Sequence, residues 1–240
     1  MHVLRLVSII SCLLLAYEGV ASNLSPESAQ KILDNLYNSF ADYRFDKPTL
    51  LFSNEDSMAA RYYPRRNLIL IENKAIEVCN SFGERSESAL AFIVAHELVH
   101  AKESTITTSY LAYDLAPSAE TKRELQADIQ GLFNSYICGY KSIEILPDLI
   151  QRLYEAYDFI GKELKGYPLI HDRKYTAQIV SKNVEDLITI FEAAAYLSTI
   201  GKYELSAILY DHIRTYYPSR DILNNMATNL ILEALNFTGE

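Results

Sequence analysis

The segment Ala91-Phe-Ile-Val-Ala-His-Glu-Leu-Val-His-Ala101 sets two imidazoles and a carboxylate inside an otherwise apolar run. Burying three such groups beside Ile93, Val94, Leu98 and Val99 costs several kcal/mol, on the order of 2–7 for each uncompensated polar group, so the fold must supply them with partners. On a helix, residues four apart stand one above the other. His96 and His100 can therefore aim ring nitrogens at one point, with Glu97 beside them. A metal ion is one partner that suits this arrangement; a pair of hydrogen-bonded core histidines is the other.

The spacing is the His-Glu-x-x-His pattern in which two imidazoles bind zinc and the glutamate acts as a base. A catalytic zinc takes three protein ligands and keeps one position open. Glu103 shares the helix face, but seven residues at 1.5 Å each place it roughly 10 Å along the axis from His96, too far to share a coordination sphere. The extended pattern with a third histidine on the same segment is also closed, because Glu103 stands where that pattern has Gly and Ile106 where it has His. A carboxylate from a second helix remains. In Glu120-Thr-Lys-Arg-Glu124-Leu-Gln-Ala-Asp128, the acids Glu120, Glu124 and Asp128 fall four apart, with Leu125, Ile129, Leu132 and Phe133 on the core side. Such a stripe is ordinarily a solvated face. Here Glu124 also offers a ligand, and Asp128 an acceptor one turn on that would fix the tautomer of a ligand histidine. Two neutral imidazoles and one carboxylate leave a zinc site at net +1, which favours ionisation of bound water near pH 7.

These residues resemble the gluzincin peptidases of the CAAX-prenyl endopeptidase, HtpX and OMA type, whose pattern is His-Glu-x-x-His followed by Glu-x-x-Ala-Asp on the next core helix. The resemblance runs from about Thr49 to Thr176. It takes in the strand Asn67–Glu72 and a later segment of form His-Pro-x-x-x-x-Arg, here Tyr167-Pro-Leu-Ile-His-Asp-Arg173, in which Tyr replaces the family's His. It implies His96, His100 and Glu124 as ligands of one Zn2+ per chain, Glu97 as general base and Asp128 as the acceptor behind a ligand. The implied reaction is metal-assisted hydrolysis of a polypeptide substrate. Tyr167 or His171 then offers a donor to the oxyanion, and Arg173 a brace for site or substrate. The ordinary alternatives are a packing tyrosine, a surface histidine and a structural ion pair. The strand Asn67–Glu72 reads either as a sheet edge on which an extended peptide pairs or as a wholly internal strand.

The chain has 240 residues, 49% of them hydrophobic, enough for a sizeable core, and a net charge of −9 with no basic run, which argues against nucleic acid as a partner. Residues 1–21 read as a signal peptide: Arg5, the apolar stretch Leu6–Ala16 and a small-residue exit at Ala21 or Ser22. The expected location is periplasmic or secreted. The apolar stretch continues beyond Cys12, which weakens a lipid anchor there. No later run approaches the roughly 20 apolar residues of a spanning helix. Cys79 and Cys138 can form one disulfide or remain two separate thiols.

The predicted fold is α+β and predominantly helical: a minimal zincin domain over 22–176, with a small sheet, and a helical tail over 177–240. Helix starts and breaks are legible at Ser25-Pro26, Pro117, Pro147, Gly166-Tyr-Pro168 and Pro218. The first helix is expected to reach Tyr43, with strands at Thr49–Phe52 and Asn67–Glu72. The tail resembles a tetratricopeptide unit, with Ala194, Gly201, Tyr203, Ser206, Tyr210, Ile213 and Pro218 in the matching positions. A further helix follows over Asp221–Leu235. A plain helical hairpin fits the tail equally, and either form offers a surface to a protein partner. The expected activity is zinc-dependent endopeptidase; the rival is an inactive chaperone-like protein acting through its tail.

Overall fold

The computed structural model describes residues 23–105, 119–162 and 169–238. The segment 1–21, Tyr167 and the breaks at Pro117 and Gly166–Pro168 lie outside the described residues, as does the side chain of Glu120. The architecture is α+β and mostly helical.

Helix α1 (Pro26–Phe40) starts as its sequence requires: Ser25 accepts from the Ser28 backbone, Ser28 accepts from Ser25, and Pro26 sits in the first turn. It stops three residues short of Tyr43, because Ala41 turns into the left-handed region at φ 46° and closes the helix end. Strands β1 (Thr49–Ser53), β2 (Ala60–Tyr63) and β3 (Leu68–Glu72) form one sheet in the order β1-β3-β2, with β1 parallel and β2 antiparallel to β3. Asn67, at φ 45°, makes the tight return from β2 into β3. Central β3 buries all but Leu70, as its apolar run foretells.

Helix α2 (Asn73–Asn80) leads to α3 (Ser86–Thr105), which carries the histidines. Leu90, Val94, Leu98 and Val99 of α3 are fully buried, each worth about 1.5–3 kcal/mol of apolar burial. This helix is the spine of the molecule, packed against α1, β2, β3 and α4 (Ala119–Ile137). Being enclosed on nearly every side, it carries no polar stripe over 89–95.

Helix α5 (Leu146–Ala156) takes Pro147 into its first turn, where the missing N–H costs nothing. Helix α6 (Ile170–Thr199) runs unbroken through the 176/177 division drawn from the sequence. Helices α7 (Tyr203–Tyr216) and α8 (Arg220–Thr238) follow, parted by Pro218. Gly201, at φ 75°, makes the α6–α7 turn, and Ser206 donates to the Ala194 carbonyl at 2.7 Å, so the serine at the small-residue position satisfies itself across the hairpin. The tail shares the central core. Tyr217 is fully buried, stacked on Phe40 at 5.4 Å and edge-on to Phe133 at 5.1 Å, with its hydroxyl donating to Asn134 at 2.8 Å. Lys102 of α3 donates to the Pro218 carbonyl at 2.9 Å. Cys79 is buried, Cys138 half-buried, and both are free thiols. No described helix is long and apolar enough to cross a membrane.

Candidate metal centre

The crossing of α3 and α4 makes the site. Gly131 allows it: a Cβ there would lie 2.9 Å from the His96 nitrogen and 3.1 Å from the Ala95 carbonyl carbon, both backbone atoms that cannot swing aside. With that contact open, α4 comes close enough for Glu124 and Asp128 to reach the rings of α3.

His96 Nε2, His100 Nε2 and the Glu124 carboxylate group stand at the corners of a triangle, with each carboxylate oxygen facing a different ring. The two nitrogens are 3.2 Å apart, His96 Nε2 is 3.2 Å from Glu124 Oε2, and His100 Nε2 is 3.4 Å from Glu124 Oε1. Metal–ligand bonds of about 2.0–2.1 Å in a tetrahedron require ligand atoms about 3.3 Å apart. The two ring nitrogens have that separation, each has a carboxylate oxygen at a similar distance, and one ligand atom from each of the three residues lies within 4.8 Å of the others, a grouping among the described residues that could hold a metal ion. Glu103 is not one of them, in keeping with its distance along the helix.

Behind the triangle, His96 Nδ1 meets Asp128 Oδ1 at 2.9 Å. Asp128 is 1% exposed, so it is no part of a solvated stripe. Arg173, in the first turn of α6, grips it with both guanidinium ends, Nη2 to Oδ1 at 2.8 Å and Nη1 to Oδ2. Arg173 thus touches the site through Asp128 and His96. His171 is exposed in the same turn of α6.

Glu97 is buried, and its Oε2 accepts the Tyr62 main-chain N–H at 2.7 Å. Tyr62 lies on β2, an outer strand of the sheet, whereas β3 is paired on both sides. Of the two readings of Asn67–Glu72, the internal strand is the one seen and the open edge is not; the outer strand beside Glu97 is Ala60–Tyr63. The Ala59 carbonyl accepts from Glu72 on β3, so alternate residues Ala60 and Tyr62 turn their main-chain groups away from the sheet. The short stretch Ala-Arg-Tyr-Tyr, followed by Pro64, has no apolar alternation to mark it as a strand.

The charges interlock. Burial disfavours a charged His96, but the hydrogen bonds its ring donates to the Asp128 and Glu124 carboxylates outweigh it and hold its pKa well above the ordinary value. His100 is likewise opposed by burial yet raised to about 9 by the carboxylates of Glu103 and Glu124. Burial alone would raise Glu124, but the two imidazoles hold it far below the usual carboxylate range. For Asp128 the positive charge of Arg173 and the bond to His96 overcome burial in the same direction. Two mutually facing imidazole nitrogens against one carboxylate call for a cation between them: protons when metal-free, or one divalent ion.

No protein family, curated protein or solved structure matches the chain.

Proposed function

We propose that the protein is a zinc-dependent endopeptidase, with His96, His100 and Glu124 as the metal ligands. The observation that carries this reading is the cluster in which two ring nitrogens stand 3.2 Å apart and face the two Glu124 oxygens at 3.2 and 3.4 Å, with the buried Glu97 beside them held by the outer strand β2. A bound zinc ion supplies Lewis acidity to a peptide carbonyl and to water. The chain's own residues do the rest. Tyr62 N–H holds Glu97 Oε2, leaving Oε1 to take a proton from the attacking water and return it to the departing amine. The edge of β2 offers main-chain groups to an extended peptide, which binds by strand addition with little demand on side-chain identity. Asp128, held by Arg173, keeps His96 in the tautomer that presents Nε2 to the metal. An exported enzyme acting on misfolded or envelope polypeptides fits the leader-like first residues, and its tail offers a docking surface for a protein partner.

Metal analysis of the purified chain should give one zinc per molecule. Glu97→Gln should retain that zinc and lower cleavage of an unfolded polypeptide by at least about 100-fold, since it removes the proton acceptor and leaves the ligands in place. Full activity in that variant defeats the mechanism. Glu124→Gln should lose metal; unchanged zinc content would exclude Glu124 as third ligand.

A further inference from the structure

Each histidine of the cluster has a second ring nitrogen turned away from the other donors, and each of these nitrogens faces a carboxylate that an arginine also contacts. His96 Nδ1 has Asp128 at 2.9 Å, which Arg173 holds from behind. His100 Nδ1 has Glu103 Oε2 at 3.6 Å, and the same oxygen has Arg123 Nε at 3.4 Å. The Glu103 side chain is only 6% exposed. Its Oε1 and His100 Nδ1 are both buried without a hydrogen-bond partner. A buried carboxylate oxygen and a buried ring nitrogen left unsatisfied within the same few ångströms are costly, and each can satisfy the other.

We propose that Glu103 is the positioning residue for His100: it accepts the Nδ1 proton, directs Nε2 toward the other two donors, and is tied by Arg123 to the helix that supplies Glu124. The chain would thus build the same relay twice, arginine to carboxylate to imidazole, once through Asp128 and once through Glu103. Closing the 3.6 Å contact to hydrogen-bond length takes a movement of about 0.6 Å, within the reach of one side-chain torsion. Arg123 adjoins Glu124 in sequence, so the second relay also fixes the register of α4 against α3 at the metal-binding turn.

This inference rests on the metal reading above, and zinc affinity of the purified full chain, measured by competition with a chromophoric chelator, tests both separately. Glu103→Ala should weaken zinc binding by about 10–100-fold with an unchanged far-ultraviolet circular dichroism spectrum. Glu103→Gln should weaken it less, because the amide oxygen still accepts; should the alanine variant fail to fold, a several-fold loss in the glutamine variant carries the test. The zinc-loaded parent should show a slowly exchanging His100 Nδ1 proton by nuclear magnetic resonance that Glu103→Ala lacks. Asp128→Asn is the reference, expected to weaken zinc through His96. If Asp128→Asn weakens binding and both Glu103 variants stay within twofold of the parent, the role given to Glu103 is wrong while the metal site stands. A parent that binds no zinc overturns the metal reading and this role with it.

Discussion

At the residue scale the proposed metal would compete with protons for the same ring nitrogens. In the metal-free chain His96 and His100 have raised pKa values, His100 to about 9 against an ordinary 6.5. A base whose folded pKa is raised contributes stability that is complete below the unfolded value and is lost as pH climbs through the folded one. The metal-free protein should therefore lose stability between pH 6 and pH 8, read as a falling urea midpoint. Lys102 has the opposite sign: burial pushes it down to about 8, so its cost is constant below that pH and is relieved only above it. That is why the window stops at 8. Zinc should reverse the trend, because the ion must displace ring protons that are scarcer at higher pH; the zinc-induced rise in melting temperature should grow from pH 6 to pH 8. A metal-free midpoint flat across this range would show that the rings carry no extra protons.

At the element scale the site depends on how closely two helices pass. Gly131→Ala would drive a methyl group into the backbone at Ala95 and His96, which can yield only by separating α3 from α4. A destabilisation of about 1–3 kcal/mol is expected from such overpacking, or a melting temperature lower by roughly 2–10 °C for a chain of this size, together with weaker zinc binding. Normal stability and affinity in this variant would mean that the helices have room to spare. Elements differed in how far they could be read from sequence. His96, Glu97 and His100 announce themselves because polar residues in an apolar run have few explanations. Glu124 and Asp128 are singled out of the acidic stripe by the resemblance to the gluzincin pattern, and the structure brings Glu124 to the rings of both His96 and His100 and Asp128 to that of His96. Helix α2 and strand β2 were missed: eight residues of Asn-Lys-Ala-Ile-Glu-Val-Cys-Asn and four of Ala-Arg-Tyr-Tyr are too short for periodicity to register. Gly131 carries no signal in the sequence, since what it accommodates belongs to another element. The spacing that separates Glu103 from His96 along the axis leaves open where its carboxylate lies relative to His100, which depends on rotamers that spacing does not specify.

At the scale of the whole molecule, the region that carries the histidines and the tail share one core, so the 176/177 division does not mark a place where the chain can be parted. Tyr217 fills the space between Phe40 and Phe133, and Lys102 reaches the carbonyl of Pro218. Ending the chain at residue 176 would uncover those rings, forfeiting on the order of 3–5 kcal/mol for the tyrosine alone by analogy with large aromatic truncations. The shortened protein should be insoluble or bind hydrophobic dyes, and a soluble, fully active 22–176 fragment would contradict this packing. A tail docked this way still leaves Leu205, Ile208, Leu230, Ile231 and Phe237 facing outward.

Helix α6 gives that dependence a mechanical form. It begins with Arg173 against Asp128 and ends roughly 40 Å away at the turn into α7. Severed after residue 176, the arginine would be left on a stub of less than two turns, too short to stay wound by itself. The rod that holds Asp128 behind His96 is also the first beam of the C-terminal scaffold, so evolution could not exchange that scaffold as a module without rebuilding the grip on Asp128.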